Sequence, residues 1–249
     1  MEVHHHPHVE KKRFKEYFLD FVMIFLAVTL GFFAETFREH TADKEREKVY
    51  IKNLYEDLKS DTVSYSNFFK ANQDFFNSVD TLIKLIKSPD RNSRISKIYF
   101  LARMVTLPAN NNLYLFFNQR TFSQMKSSGQ LRLISNQEIA DSISSYYSSL
   151  DVMQFQNENI ASRTTDYMQM MGELFDAEIL LKIREEGKEP PSENLKLLTT
   201  DPIMMNRYLT ALQYYYGTRF SQKEIGAERS QKAKNLIGLL KKEYHLENQ

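Results

Sequence analysis

The chain has 249 residues, with 33 Lys and Arg against 32 Asp and Glu, and it contains no cysteine. This balance excludes the net positive field that draws a protein to nucleic acid, and we expect no nucleic-acid partner. The lack of cysteine excludes disulfides, thiol nucleophiles and thiolate metal sites. Only seven Gly and six Pro, with long segments rich in Leu, Met, Lys, Glu and Gln, predict an all-α fold.

Residues 1–16 form a basic, histidine-rich tail. Its imidazoles, on His4, His5, His6 and His8, are the densest group of metal-binding side chains in the sequence. A His-rich tract binds Zn, Ni or Cu without a fold, so these four residues are candidate metal ligands. The alternative is a tail without a metal role, because residues that would orient the rings are not apparent. We expect no cofactor.

Residues 17–37 are uncharged except for Asp20 and Glu35. The fourteen residues between these carboxylates make a helix about 21 Å long, shorter than the ~30 Å hydrocarbon layer. That length also fits a buried core helix or a signal peptide. However, the apolar character extends to both ends of the segment, surrounds the helix on all sides and precedes no A-x-A-like cleavage site. We interpret residues 17–37 as an uncleaved transmembrane helix in contact with the lipid bilayer.

Basic residues predict the orientation of this helix. Lys11, Lys12, Arg13 and Lys15 precede the apolar segment, whereas Arg38 stands alone directly after it. The positive-inside rule then favours a cytoplasmic N-terminus, with the bulk of the chain outside the cytoplasm. Further basic residues in the next segment reduce this asymmetry.

One face of the apolar helix carries small and acidic residues. Asp20, Ile24, Ala27, Gly31 and Glu35 fall within a narrow stripe at 100° per residue. Small residues four apart allow two membrane helices to approach closely, and intramembrane carboxylates usually face protein. This association face predicts a homo-oligomer or docking onto another membrane subunit. The alternative is an ordinary anchor with incidental small residues.

Beyond the apolar helix we predict a charged helical stalk over 38–48, and then one helical bundle domain over 49–249 with five to seven antiparallel helices. The amphipathic pattern that begins the bundle ends at Ser88-Pro89. Further helices are expected near 94–105, 113–128, from Ser135 through Leu181 with one opening at a Ser135–Glu138 capping box, 202–216 behind an Asp201-Pro202 cap, and 221–244. Gly129 suits a left-handed helix C-cap.

Runs of aromatic residues are frequent in the bundle domain. We interpret most of them as core residues, although a ligand pocket between helices is the alternative. Three consecutive tyrosines cannot share one buried face, so at least one is exposed or covered by a partner. The runs are Phe68-Phe69, Phe75-Phe76, Phe116-Phe117, Tyr146-Tyr147 and Tyr214-Tyr215-Tyr216.

Four segments point to a family: MEVHHHPH, FKEYFLDFVMIFLAVTLGFFAETFREH, EREKVYIKNLYEDLKSDT and SSGQLRLISNQEIADSISSYY. Together they resemble an uncharacterised family of single-span, membrane-anchored helical proteins from Bacteroidota. The resemblance is close over 1–62 and clear over 121–147. It implies one N-terminal span, a helical remainder and no reaction. It also implies a two-membrane envelope, and with it an inner-membrane protein whose bundle lies in the periplasm.

Catalytic patterns are absent from the sequence. His40 and His245 lie at charged helix ends, and no G-x-S-x-G, P-loop or H-E-x-x-H motif occurs. The adjacent acids Glu56 and Asp57 point to different sides of a helix, and we predict that both are solvated. We therefore expect no enzymatic activity. The leading hypothesis is a membrane-anchored interaction or structural protein; the alternative is a membrane-tethered sensor or ligand-binding domain that acts through a partner.

Overall fold

A computed structural model describes residues 14–106, 114–148 and 150–246, with the backbone alone at 150 and 151. Every regular element in these ranges is helical, which confirms the all-α prediction. Two 3₁₀-helices, Arg91–Arg94 and Gln130–Leu133, accompany the α-helices. The α-helices are α1 Phe14–Lys87, α2 Ile95–Met104, α3 Arg120–Ser127, α4 Gln137–Ser148, α5 Leu150–Leu174, α6 Ala177–Glu186 and α7 Pro202–Tyr244.

The chain divides into two compact units, residues 1–49 and 50–249, and α1 contributes to both. In the first unit, α1 contains a segment long and apolar enough to cross a membrane, and no residue of that segment is buried. Ion pairs three residues apart follow it on the exposed surface. They join Glu35 to Arg38 at 2.5 Å, Asp43 to Arg46 at 3.0 Å and Glu45 to Lys48 at 2.8 Å.

The second unit is a bundle in which α7 runs antiparallel to both α1 and α5. As residue numbers rise along α7, the numbers of the residues that it contacts on each partner helix fall. The contacts that show this are Gly226 with Phe68 and Tyr215 with Phe75 on α1, and Gln222 with Asn157 and Tyr208 with Tyr167 on α5.

Alternating steps of three and four residues run along the buried faces of α1 and α7, the spacing that lets two helices interlock side chains over many turns. Most members are apolar, but each stripe contains polar residues near its middle. On α1 the stripe is Ile51, Leu54, Leu58, Asp61, Tyr65, Phe68, Asn72, Phe75, Val79, Leu82 and Ile86. On α7 it is Met205, Tyr208, Leu212, Tyr215, Arg219, Gln222, Gly226, Arg229, Ala233, Leu236 and Leu240.

The bundle contains two separate apolar cores. One gathers the C-terminal part of α1 with α2, α5, α6 and the first half of α7 around Tyr99, Tyr167 and Tyr208. The other gathers the preceding part of α1 with α4 and the second half of α7 around Ile143 and Leu236. Asn72, Arg219 and Gln222 lie between these cores along the two stripes, whereas Asp61 and Arg229 lie beside members of the second core.

Several predicted helix ends are confirmed. Helix α1 ends at Lys87, directly before Ser88. Asp201 caps α7, because its Oδ1 accepts from the N–H groups of Ile203 at 3.0 Å and Met204 at 2.9 Å. Gly129 adopts φ 68°, the left-handed conformation expected after α3.

The predicted long helix through Leu181 is wrong, because the helix is interrupted at Asp176. The Asp176 carboxylate accepts from the N–H groups of Glu178 at 2.9 Å and Ile179 at 3.2 Å, so it caps a new helix, α6. Its own N–H donates to the Tyr99 hydroxyl at 3.0 Å. A hydrogen bond to a residue distant in sequence therefore stabilises this interruption of the helix.

The predicted separation of 202–216 from 221–244 is also wrong, since α7 continues across Gly217. Tyr215, Arg219 and Gln222 keep one buried face through this point. Packing along that face outweighs the low helix propensity of a single glycine, about 1 kcal/mol.

The aromatic predictions are mostly confirmed. Phe116 is the exception, with 71% of its surface exposed. It belongs to a non-helical segment in which Leu115 points inward instead. Among the three tyrosines, Tyr214 is 61% exposed and Tyr215 is buried, as predicted. The buried phenylalanines of the predicted pairs are Phe68, Phe75 and Phe76.

Gly226 allows the close approach of α7 to its neighbours. A Cβ there would lie 3.2 Å from Leu115 Cδ1 and 3.2 Å from Phe68 Cε1, whereas a Cβ at Gly238 meets no atom within 4 Å. We expect Gly226→Leu to lower the free energy of unfolding by about 1–3 kcal/mol through overpacking. The matched variant Gly238→Leu should raise it by a few tenths to about 1 kcal/mol. Urea unfolding followed by circular dichroism measures both, and equal effects would contradict the packing.

Candidate functional site

Of the two predicted sets of site residues, the structure describes the association face but not the four histidines. His4, His5, His6 and His8 lie outside the described residues, and their metal role stays a prediction. Within the parts of the chain that the structure describes, no group of three or more His, Asp and Glu side chains could hold a metal ion.

The association face lies along one side of α1. Ile24, Ala27, Gly31 and Glu35 are exposed and Asp20 is half-buried. A Cβ added to Gly31 would meet no atom within 4 Å, so nothing in the described chain covers this side. The face is open to close approach by another helix, and the association itself stays a prediction.

Two buried carboxylates lie one turn apart on α1, Asp57 and Asp61, each 2% exposed. Asp57 Oδ2 accepts from the Thr121 hydroxyl at 2.5 Å and from the Thr121 N–H at 3.3 Å. Asp61 Oδ1 accepts from the Asn118 N–H at 3.0 Å, and its Oδ2 accepts from the Tyr146 hydroxyl at 2.7 Å. We call Asp57 and Asp61 the acid pair.

The acid pair determines where α3 begins. Gln119, at the N-cap of α3, makes no capping hydrogen bond with its side chain, so a carboxylate from α1 supplies that function. The predicted helix near 113–128 is therefore wrong in its first part, since α3 starts at Arg120. The prediction that Asp57 is solvated is wrong for the same reason, whereas Glu56 is exposed and pairs with Lys59 at 3.1 Å.

Arg229 on α7 supplies positive charge beside the acid pair. Its Nη2 donates to the Tyr146 carbonyl at 2.8 Å, and its guanidinium lies 4.7 Å from the Phe117 ring centre and 5.8 Å from that of Tyr146. The attraction of Arg229 favours the charged form of Asp61. Tyr146 thus joins both charged groups, through its hydroxyl and its carbonyl.

Burial has the largest effect on the pKa values of the titratable groups around the acid pair. It raises the pKa of Asp61 to about 6, against the lowering effect of the Asn118 and Tyr146 hydrogen bonds. Burial also raises the pKa of Tyr65 to about 12 and the pKa of Tyr146 well above its usual range. Both tyrosine hydroxyls are therefore neutral at physiological pH. Because both carboxylates are buried and engaged by this chain, the cluster acts as a structural site that fixes residues 118–121 on α1.

A second group of polar side chains, which we call the polar layer, consists of the buried Asn72, Arg219 and Gln222 and the half-buried Asn157. Arg219 Nη2 donates to Asn72 Oδ1 at 3.0 Å, and Asn72 Nδ2 donates to the Phe68 carbonyl at 2.9 Å. Gln222 Nε2 donates to Asn157 Oδ1 at 2.8 Å. This layer crosses the bundle from α1 through α7 to α5, between the two apolar cores.

An open groove of ≈ 580 Å³ lies against one end of this layer. Its walls come from residues 114–119 and from the first half of α5, and aromatic and aliphatic side chains predominate in them. We call it the aromatic groove. It is lined by Tyr114, Leu115, Phe116, Phe117, Gln119, Met153, Gln154, Asn157, Glu158 and Ala161.

Sequence reasoning missed the acid pair and the polar layer. A signal was present, because Asp61 and Asn72 occupy positions of the three-and-four spacing that runs through Leu58 and Phe68. A polar residue within such a stripe is buried whatever its polarity. Asp57 lies beside the stripe rather than in it, and its partner at Thr121 is 64 residues away.

Comparisons with protein-family models, with curated proteins and with solved structures found no match for this chain.

The raised pKa of Asp61 predicts a pH-dependent stability. The native state binds the Asp61 proton more tightly than the unfolded state, whose carboxyl titrates near 3.8. The free energy of unfolding should therefore fall as pH rises from about 4 to 6, by up to about 3 kcal/mol. We expect Asp61→Asn to remove this decline. Urea unfolding of the full chain in an uncharged detergent measures this decline. The measurement is made at pH 4.5 and pH 7, one below and one above the pKa of about 6.

The control for this measurement is Asp80→Asn, at an exposed position of α1. It should retain the pH dependence of the unsubstituted chain. An Asp61→Asn chain whose stability still falls between the two pH values, as steeply as that of the control, would contradict the assignment of this decline to Asp61.

Proposed function

We propose that this protein is a membrane-anchored interaction or structural protein whose residues 17–37 cross the membrane once. The observation that carries the proposal is the exposed surface of α1. From Phe18 to Phe33, every Phe, Leu, Ile and Met side chain exposes 49% or more of its surface. Soluble proteins rarely expose a continuous apolar surface of this extent, and a lipid bilayer covers such a helix on all sides.

The anchor lies in the inner membrane, with the bundle in the periplasm. The basic residues before the apolar segment support this orientation through the positive-inside rule. The resemblance to single-span proteins of Bacteroidota supports the periplasmic location. The acidic and basic side chains of 38–48 pair with one another along the helix, so this segment is stable in water outside the bilayer.

Association through the face of Asp20, Ala27 and Gly31 is the work that we assign to the anchor. Its partner is a second copy of this chain or another membrane subunit. The open surface at Gly31 supports this assignment, because glycine lets two helix backbones approach closely.

The bundle supports an interaction role better than catalysis. Its most perturbed carboxylate, Asp61, is bonded on both oxygens to groups of this chain, and Asp57 caps α3. Neither is oriented toward a cleft, which is where a reacting carboxylate must lie. We propose no reaction for this protein.

A second candidate is a membrane-tethered sensor or ligand-binding domain that acts through a partner. The aromatic groove favours it, since ≈ 580 Å³ is within the range of small-molecule sites and the lining combines apolar walls with a few polar groups.

Charge placed in the apolar segment tests the anchor. We expect the full chain to remain with membranes after an alkaline carbonate wash, and Phe25→Asp with Leu26→Asp to release it, because each aspartate costs about 2.5–3.5 kcal/mol at a bilayer centre. Phe116→Asp with Val152→Asp, at exposed apolar positions of the bundle, is the control and should leave the chain in the membrane fraction. A chain that stays soluble without detergent would refute the anchor.

A bulky residue on the association face tests the second part of the proposal. Gly31→Ile should break the association measured by sedimentation or by copurification in mild detergent, since its side chain separates the two helix backbones. The control is Phe33→Ile, nearly opposite Gly31 on the helix, which should retain association. Association unchanged in Gly31→Ile would show that this face is not the interface.

A further inference from the structure

A second open groove, of ≈ 590 Å³, lies on the surface of the bundle between α5 and α7. Spacings of three and four residues place Tyr214, Gly217 and Ser221 on one face of α7, and Gln156 with Asn159 on one face of α5. We call it the amide groove, and it shares no lining residue with the aromatic groove. It is lined by Gln156, Asn159, Gln213, Tyr214, Tyr216, Gly217, Thr218 and Ser221.

The amide side chains of this groove have unused hydrogen-bonding capacity. Gln156, Asn159 and Gln213 have no hydrogen-bond partner among the residues that the structure describes. Other amides on exposed helix faces pair four residues along the same helix, as Gln73 does with Asn77 at 3.1 Å. An amide offers two donors and one acceptor, so the groove presents both kinds of group to a ligand.

Hydroxyl groups and an aromatic ring line the α7 side of the amide groove. The Thr218 hydroxyl donates to the Tyr214 carbonyl at 2.9 Å, and the Ser221 hydroxyl donates to the Gly217 carbonyl at 3.2 Å. Both protons are used within α7, so the two oxygens remain as acceptors. The Tyr214 ring is exposed, and the Arg163 guanidinium lies 5.6 Å from its centre, a contact that stabilises the orientation of the ring.

Gly217 keeps the α7 side of the amide groove open. A Cβ added there would meet no atom within 4 Å, whereas a Cβ at Gly226 on the same helix would lie 3.2 Å from Phe68 Cε1. The packing of this chain therefore uses the glycine at 226 but leaves the space beside Gly217 free for a ligand.

We propose that the amide groove binds a neutral oligosaccharide. The hydroxyl groups of a sugar both donate and accept, and so do the amides of Gln156, Asn159 and Gln213. The apolar C–H face of a sugar ring packs against an exposed aromatic ring, here that of Tyr214. A volume of ≈ 590 Å³ is within the range of small-molecule sites. This inference does not depend on membrane anchoring, so its failure leaves the proposed anchor unaffected.

The lining of the groove favours a neutral ligand over a charged one. It contains no acidic or basic side chain. Arg163, which contacts the Tyr214 ring, is half-exposed and already pairs with Asp166 at 3.0 Å. A charged ligand would lose hydration here without gaining an ion pair, whereas a hydroxyl-rich neutral ligand exchanges hydrogen bonds with water for hydrogen bonds with amides.

The walls of the groove also favour a saccharide over a peptide. An extended peptide binds to unpaired backbone groups at the edge of a sheet, and a helical peptide lays an apolar face into an apolar groove. Both walls here are helices, whose backbone groups are paired within each helix, and their side chains are mainly amides and hydroxyls. The groove follows the line between two long helices, so a chain of sugar units can extend along it.

Saturation-transfer NMR on the full chain tests the proposal, with maltotriose, cellotriose and triacetylchitotriose as probes. The detergent is uncharged and carries no sugar headgroup. We expect saturable binding of at least one probe at millimolar concentration, unchanged between about 0.05 and 0.5 M sodium chloride because no ion pair contributes. Lack of saturable binding for all three probes would overturn the proposal. An acetylated and amidated trialanine peptide that binds as tightly as the best saccharide would overturn it as well.

A bulky residue in the groove tests the location of the site. Gly217→Trp should weaken binding of the best probe at least about tenfold without lowering the melting temperature, because its Cβ meets no atom of the chain. The control is Gly238→Trp, at an equally open position of α7, which should bind as the unsubstituted chain does. The double variant Asn159→Leu with Gln213→Leu removes two amides and should weaken binding by a similar factor. Full affinity in Gly217→Trp or in the double variant would overturn the assignment to this groove.

Discussion

Any residue in the three-and-four stripes of α1 and α7 loses its contact with water, because these stripes are where the two helices interlock. For Leu54 or Leu236 that transfer is favourable. For Asp61, Asn72, Arg219 or any other polar member it is costly unless a partner inside the bundle restores the lost hydrogen bonds. The arrangement of α4 and of the segment before α3 follows from this requirement, since these elements carry the partners of Asp61.

The two buried arginines of α7 meet this requirement to different degrees. Arg229 has a carbonyl partner, two aromatic rings and a carboxylate in its surroundings, so its charge is balanced within the chain. Arg219 has one amide oxygen and two rings. The first arrangement stabilises a single packing of α1, α4 and α7. The second leaves Nε and Nη1 of Arg219 without a hydrogen-bond acceptor among the described residues.

Local signals in the sequence predicted the elements that depend on local chemistry. The proline after Asp201 and the left-handed glycine after α3 act within a few residues, and both were found. The apolar part of α1 was equally legible, because no partner in the chain is needed to explain it. The break before α6 was missed because the Tyr99 hydroxyl that holds it comes from another helix.

The candidate sites could be predicted from the sequence only in part. The association face is a property of one helix, and spacing alone places its residues together. The acid pair depends on contacts 57 and 85 residues apart in the chain, from Asp61 to Asn118 and to Tyr146, and no local pattern reports them. Glu56 is exposed and its neighbour Asp57 is buried. The argument from their adjacency predicted that both are solvated, and it was therefore wrong for Asp57.

The hydrogen bond between Asp61 and Tyr146 constrains how the two positions can change in evolution. Loss of the hydroxyl alone leaves a buried carboxylate short of a donor, and loss of the carboxylate alone leaves a buried hydroxyl without its acceptor. Drift at one position is therefore tolerated only with compensation at the other. Among descendants of a common ancestor, the two positions should change as a pair, and their joint substitution would mark lineages in which this end of the bundle has been rebuilt.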